Sequence, residues 1–241
     1  HGANVIEIDW REDFAWARNQ VLARCRDATY MVWIDADERL RCENPKQLRQ
    51  TLKTFARLYP SYQLEIRNIA DGIETHRFAA VRMMTTRDTR FEGAIHEQPR
   101  RFDGSELLSV GLTLCHFEHL GYGQEFIDER DKRDRNLRIA RDSFGSDPTS
   151  ERAIHYARAL VSASEDPRAT LDELEPLLTF LEDAPPPIEA MVLGLQAKVL
   201  LAADDPAGAE RAARRAAELV RADAIAGAAL AEALVRLCRV G

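Results

Sequence analysis

Apolar residues follow two rhythms along this chain. In the first 120 residues short apolar runs alternate with helical spacing, and the second half is helical throughout. Val5 to Trp10 reads as a short strand, with Val5, Ile6 and Ile8 apolar. Phe14, Ala17, Val21, Leu22 and Cys25 fall on one helical face, with Asp13 as the N-cap. Tyr30 to Ile34 is an uninterrupted apolar run that predicts a buried strand. Asn44-Pro45 opens a second helix, Asn as cap and Pro at the first helical position, with Leu48, Leu52 and Phe55 on one face. Tyr62 to Ile69, Arg77 to Met84, Phe91 to His96 and Leu107 to Phe117 are further strands.

The character changes after Gly121-Tyr122-Gly123. Helices are predicted over Phe126 to Phe144, Glu151 to Ala163, Pro167 to Leu181, Ile188 to Ala203, Pro206 to Val220 and Asp223 to Arg239. Each break carries an acid or a proline where one helix stops and the next starts. The expected domains are therefore 1–123, mixed α/β, and 124–241, all-α. The helices also repeat. At an offset of 34 residues Ala190 matches Ala224, Gly194 matches Ala228, Ala197 matches Ala231, Leu200 matches Leu234 and Leu201 matches Val235. That offset is the period of tetratricopeptide arrays. An alanine-rich bundle without repeats is the alternative.

Composition narrows the function classes. The chain has 241 residues, 45% hydrophobic and 30% charged, a soluble globular balance. Its net charge of −7, with no basic block, gives nucleic-acid binding little support. Cys25, Cys42, Cys115 and Cys238 are scattered without a CxxC pair, which argues against a disulfide framework or zinc site and fits a reducing, cytoplasmic setting. No apolar run is long enough to span a membrane, and no signal peptide is evident. The opening His1-Gly2-Ala3-Asn4-Val5-Ile6 reads as the middle of something, so a fragment of a longer protein is expected.

The candidate chemistry starts where the apolar run Met31-Val32-Trp33-Ile34 ends on Asp35-Ala36-Asp37-Glu38. Carboxylates at the end of a core strand need a partner. In an open α/β sheet that end is where ligands bind. Asp35 and Asp37 stand at i and i+2, so an extended backbone would put both on one face. Hard oxygen donors there suit Mg2+ or Mn2+ bridging to a diphosphate. A helix-capping or turn cluster is the plainer reading. Glu38 is either an outer acceptor or the partner of Arg39 or Arg18. Arg18 reaches a phosphate or locks Asp35, and Asn19 bonds a sugar-nucleotide or ties down a loop.

Several motifs in order carry a resemblance. Trp10, Asp13-Phe14 and Ala17-Arg18-Asn19 are followed by Trp33-Ile34-Asp35-Ala36-Asp37-Glu38 and then Phe91-Glu92-Gly93-Ala94-Ile95-His96-Glu97-Gln98. His116, His119-Leu120-Gly121-Tyr122 and Lys132-Arg133-Asp134-Arg135-Asn136-Leu137 come after. This pattern resembles bacterial family 2 glycosyltransferases, above all the subgroup with C-terminal tetratricopeptide-like repeats, which includes bacteriocin-peptide glycosyltransferases. Lipopolysaccharide-core glycosyltransferases share the central part. The likeness covers roughly residues 1 to 140 by motif and the rest by architecture.

The resemblance implies a partial GT-A fold, a Rossmann-like mixed sheet, followed by tetratricopeptide-like helices. It implies a nucleotide-diphosphate sugar as donor, Mn2+ or Mg2+ as metal, and transfer with inversion to a peptide, glycan or small-molecule acceptor. Asp35 and Asp37 match the family's Asp-x-Asp and would hold the metal on the diphosphate, stabilising charge as it develops on the leaving group. Glu97 is the candidate base for the acceptor's proton, with His96 positioning the acceptor or supporting the base. Orienting His96 or a loop is the plainer role for Glu97. His116 and His119 are candidate metal ligands, and Tyr122 would stack on or close over the donor. The N-terminal nucleotide-gripping part of the family's fold has no counterpart in this sequence, so the isolated chain is expected to be weak or inactive.

Two other classes stay open. In one, the helical repeats are the function, recruiting a protein partner or forming a homodimer, and the front domain is a degenerate scaffold. In the other, a nucleotidyltransferase uses the same acidic strand end.

Overall fold

The computed structural model describes residues 4–55, 58–120, 129–181, 184–220 and 224–240. The chain divides into two compact units, 1–127 and 128–241. The first is α/β and the second is helical.

The front unit opens with helix α1, Phe14–Arg24. Asp13 caps it as its spacing predicts, its Oδ1 accepting from the Trp16 N–H at 2.8 Å. Five strands then form a mixed sheet: β1 Tyr30–Val32, β2 Glu38–Cys42, β3 Ser61–Ala70, β4 Ile73–Thr85 and β7 Ser109–His119. Helix α2, Pro45–Phe55, lies between β2 and β3 in the chain, and Asn44 Oδ1 caps it through the Gln47 N–H at 3.0 Å. A separate hairpin pairs β5 Thr89–Glu92 with β6 Gln98–Arg101.

The strand order is β1-β4-β3-β7-β2, with only β3 and β7 parallel among the described pairings. β1 and β2 thus form opposite edges of the sheet, although only Trp33 to Asp37 separates them. That short segment must cross the whole sheet, which is why it breaks the apolar run. Strand pairing ends early: the last ladder-like bond is Trp33 N–H to Arg82 C=O at 2.8 Å, and Ile34 is 48% exposed. The expected buried strand from Tyr30 to Ile34 is therefore shortened to three residues, and Ala36 and Asp37 form a turn.

Residues 4–10 form no strand, against the expectation from their alternation, and Val5 is 86% exposed. A strand is held by its neighbour's backbone, and no described strand pairs with this segment. Phe91 to His96 also shortens, because the chain turns at Gly93 and His96, both with positive φ. The charged strands β2 and β6 carry too little apolar alternation to announce themselves.

The sheet buries one face. Tyr62, Leu64 and Ile66 of β3 are on it at the strand's two-residue period, with Met83, Leu112, Cys115 and Phe117 beside them. Leu48 and Leu52 of α2 pack onto this cluster. Each such side chain contributes about 1.5–3 kcal/mol by leaving water. Ala15 and Leu22 of α1 form a second cluster with Met31, Met84 and Phe91. This cluster seats α1 against β5, the placement that builds the site. Cys42 and Cys115 face each other across β2 and β7 as free thiols.

The helical unit comprises α3 Glu129–Ser146, α4 Ser150–Ala163, α5 Pro167–Phe180, α6 Pro186–Ala202, α7 Pro206–Leu219 and α8 Ala224–Val240. Asp166 and Asp205 cap α5 and α7 ahead of Pro167 and Pro206. Ala197, Ala209, Ala213, Ala229 and Ala233 pack with Leu201 between α6, α7 and α8, small residues letting the backbones approach. Four of the pairs matched by the 34-residue offset, Gly194/Ala228, Ala197/Ala231, Leu200/Leu234 and Leu201/Val235, differ in burial. Ala197 and Leu201 are buried, whereas Ala231 and Val235 are exposed. Ala229 and Ala233 provide the packed stripe of α8 instead. No helix among the described residues is long and apolar enough to cross a membrane.

Candidate functional site

Three elements bring functional side chains to the acidic crossing. Helix α1 contributes Arg18, the β5–β6 turn contributes Glu97, and the crossing itself contributes Asp35. Helix α1 is locked onto β5 by two contacts. The Phe14 N–H donates to Ala94 C=O at 2.9 Å, which pins the Gly93–Glu97 turn to the start of the helix. One turn on, Asn19 acts like a neighbouring strand. Its Oδ1 accepts from the Phe91 N–H at 2.8 Å and its Nδ2 donates to Phe91 C=O at 2.9 Å. Both ends of the Asn19 carboxamide are therefore spent on backbone. Of its two expected roles, tying down a chain segment is the one these bonds express.

Arg18 lies next to Asn19 on α1. Its guanidinium sits 4.2 Å from the Trp33 ring centroid and 5.4 Å from that of Phe91, a cation–π arrangement. The two rings meet edge-on at 5.9 Å. From this seat Arg18 Nε pairs with Glu97 Oε1, and Nη2 lies 3.8 Å from Asp35 Oδ1. Asp35 Oδ1 also accepts from the Trp33 indole N–H at 2.8 Å.

Sequence reasoning missed the next member. Arg82 of β4 donates from Nη1 to Asp35 Oδ2 at 3.0 Å and from Nη2 to Glu38 Oε1 at 2.6 Å. It sits at a β-bulge: Tyr62 pairs with Met83 and Gln63 with Val81, so Arg82 is the extra residue. Bulges re-aim side chains. This one turns the guanidinium over the Phe117 ring, 5.8 Å from its centroid. The signal in the sequence is a lone arginine inside Phe78-Ala79-Ala80-Val81-Arg82-Met83-Met84. Glu38 completes a ring. Its Oε2 accepts from the Asp35 N–H at 2.9 Å, and its own N–H donates to Asp35 C=O at 3.1 Å.

Glu97, Arg18, Asp35, Arg82 and Glu38 thus form a chain of alternating charge drawn from five segments. Burial pushes the Glu97 carboxyl above its ordinary value, against the attraction of Arg18. Burial also pulls the Arg18 guanidinium below its ordinary value, against the attraction of Glu97 and Asp35. At Asp35 burial acts upward too, but the Trp33 N–H and the Arg82 guanidinium outweigh it and hold the carboxyl below the usual range.

Asp37 belongs to a second, smaller network. Its Oδ2 lies 3.1 Å from His119 Nε2, and His119 Nδ1 lies 2.8 Å from Asn68 Oδ1. Asp37 C=O accepts from the Leu120 N–H at 2.9 Å. Asn68 is 1% exposed and ends the buried row of β3, so the histidine is anchored from below.

Not every expected residue converges. Asp35 and Asp37 do not share the face of an extended strand, because the backbone turns between them. His116 is three residues from His119 on a regular stretch of β7, so its side chain lies on the opposite face of the sheet. It neighbours Glu118 there, on the face away from His119. His96 is exposed at a positive φ of 54° in the β5–β6 turn. Tyr122 lies outside the described residues.

Among the described residues no group of three His, Cys, Asp or Glu side chains forms a metal cage. The donor chemistry nevertheless fits a hard cation that arrives with a phosphate ligand. Mg2+ is usually held by one or two carboxylates plus substrate phosphates. The Asp35 and Asp37 side chains are 39% and 49% exposed, which leaves both within reach of such a complex. Charge fits as well. Arg18 and Arg82 stand against Asp35, Asp37, Glu38 and Glu97, an excess of two negative charges. No family model matches the chain, and a search of curated proteins gave no match.

Proposed function

We propose that the chain is a metal-dependent glycosyltransferase of the family 2, GT-A type, which moves a sugar from a nucleotide-diphosphate donor to a peptide, glycan or small-molecule acceptor. The observation that carries this reading is the meeting of Glu97 with the acidic crossing through Arg18. Two carboxylates for a cation and a third, separate carboxylate for a proton are what such a transfer needs. The ordered motifs from Trp10 to Gln98 support the same reading.

Asp35 and Asp37 would hold Mn2+ or Mg2+ on the donor diphosphate. The metal when bound supplies positive charge where the leaving diphosphate becomes more negative. Glu97 accepts the proton of the acceptor hydroxyl or thiol. Burial already favours its protonated form, and a base whose value is raised toward neutrality takes a proton more readily. Arg18 opposes that shift with its charge and orients the carboxylate from the Trp33–Phe91 seat. His119 steadies Asp37 from the Asn68 side, with its Nε2 beside the Asp37 carboxylate. Inversion follows from the resemblance alone.

The helical unit reads as tetratricopeptide-like, a surface for the acceptor, a protein partner or a second copy. Its helical hairpins are packed through alanines, and one turn, Asp205-Pro206, is chemically suited to the turn between the two helices of a repeat. One feature favours the second reading, a helical binding module on a catalytically silent front unit. Both Asp35 oxygens already accept hydrogen bonds from protein groups.

Turnover separates the two. Incubation of the full-length protein with UDP-, GDP-, CDP- and dTDP-sugars is expected to release nucleoside diphosphate from at least one of them only when Mn2+ is present. Asp37→Ala should abolish that release. Release from none, or release that ignores the metal, favours the silent module.

A further inference from the structure

We propose that Arg82 is the positioning residue of the acidic turn, holding Asp35 and Glu38 on one guanidinium so that Asp35 presents its carboxylate to the donor's metal–diphosphate group. The inference rests on the glycosyltransferase reading and deepens it.

The geometry is a closed ring. Arg82 grips the Asp35 carboxylate and the Glu38 carboxylate at 3.0 and 2.6 Å, and Glu38 returns to the Asp35 backbone N–H at 2.9 Å. Four bonds among three residues therefore fix residues 35–38, counting the Glu38 N–H to Asp35 C=O bond. This matters because, between the Trp33 N–H bond to Arg82 C=O and the Asp37 C=O bond from the Leu120 N–H, residues 34–36 pair with no described strand while the chain crosses the sheet. The side chain of Glu38 is only 2% exposed and that of Arg82 only 12%. Each is the other's compensation for lost water. Arg82 Nε is buried and makes no hydrogen bond among the described residues, so the two carboxylates orient the guanidinium.

A planar fork that reaches two carboxylates at once is a task for arginine. Lysine offers one compact charge and cannot span both acceptors. The β3–β4 pairing shifts register at two places, Tyr62/Gln63 and Asn68/Ile69, and the shift at Arg82 is the one that directs this side chain inward. Groups that orient a metal-binding carboxylate commonly change metal affinity by about 10- to 100-fold when lost.

The test uses the full-length protein and calorimetric titration of UDP, GDP, CDP and dTDP at saturating Mn2+. Three variants are compared: Arg82→Lys, Arg82→Gln, and Arg82→Gln combined with Glu38→Gln. Urea unfolding by tryptophan fluorescence runs alongside. The double variant has no unpaired buried carboxylate, so its unfolding midpoint should return toward wild type. Its Mn2+-dependent nucleotide affinity, and that of Arg82→Lys, should stay about tenfold or more below wild type. Wild-type affinity in either variant would overturn the positioning role. So would a double variant that fails to fold, since the pair would then serve the fold alone. If the wild-type full-length protein binds none of the four nucleotides with Mn2+, the glycosyltransferase reading fails, and this inference with it.

Discussion

Asn19→Ala separates a tether from a ligand contact. The carboxamide makes two bonds to the Phe91 backbone, at 2.8 and 2.9 Å, and Phe91 is 4% exposed. Removing the side chain strands one buried N–H and one buried C=O, and each such loss costs about 1–3 kcal/mol. Partial access of water through the vacated space lowers the sum, so we expect a loss of about 2–4 kcal/mol. That is a large share of a typical domain's stability of about 5–15 kcal/mol. Urea unfolding followed by tryptophan fluorescence is the assay. The three tryptophans, Trp10, Trp16 and Trp33, all lie in the front unit, so the signal reports that unit by itself. The midpoint should fall while the slope stays constant. Asn19→Asp should not rescue, because it keeps the acceptor for the Phe91 N–H but sets a carboxylate oxygen against Phe91 C=O. A change below about 0.5 kcal/mol, within the range of ordinary surface substitutions, would refute the tether. Lost nucleotide binding at unchanged stability would make Asn19 a ligand contact.

Other consequences follow from the same geometry. Glu97 is raised in the folded state, so its contribution to stability is present below the ordinary carboxylate range and is lost as pH rises through the raised value. Asp35 is lowered, so its contribution is present above the ordinary range and is lost as pH falls through the folded value. Urea midpoints across pH should therefore lose their decline on the rising side in Glu97→Gln and their acid limb in Asp35→Asn; profiles that match wild type would contradict these directions. Ala213→Leu inserts a large side chain into a fully buried alanine contact and should cost about 1–3 kcal/mol, read as a lower helical melting transition by circular dichroism. Gly93→Ala forces a side chain onto a φ of 96° with its Cβ 3.3 Å from Ile95 C=O, so the turn carrying Glu97 should shift and the unfolding midpoint of the front unit should drop.

Much of the architecture was legible because its signals are local. Asp13, Asn44, Asp166 and Asp205 cap helices by bonds within three residues, and proline sits at the next position in three of these cases. The long strands β3, β4 and β7 carry enough apolar alternation to be seen. What escaped depends on partners distant in sequence. β2 is a charged edge strand, recognisable only once β7 lies beside it. Val5 to Trp10 has the pattern of a strand and no described neighbour to make it one. The acidic cluster was visible, and so were Arg18 and Glu97, but not their order of contact. The i, i+2 rule failed at Asp35 and Asp37 because the sheet's topology sends this segment from one edge to the other. Arg82 escaped because a bulge, which no local pattern announces, decides where its side chain points.

The central claim is that the acidic crossing takes a metal–diphosphate group, and binding tests it most directly. Calorimetric titration of the full-length protein with UDP, GDP, CDP and dTDP, each with and without Mn2+, should show at least one nucleotide that binds only with the metal. That binding should vanish in Asp37→Ala. Binding of none of the four, or binding that neither Mn2+ nor Asp37→Ala alters, would contradict the account.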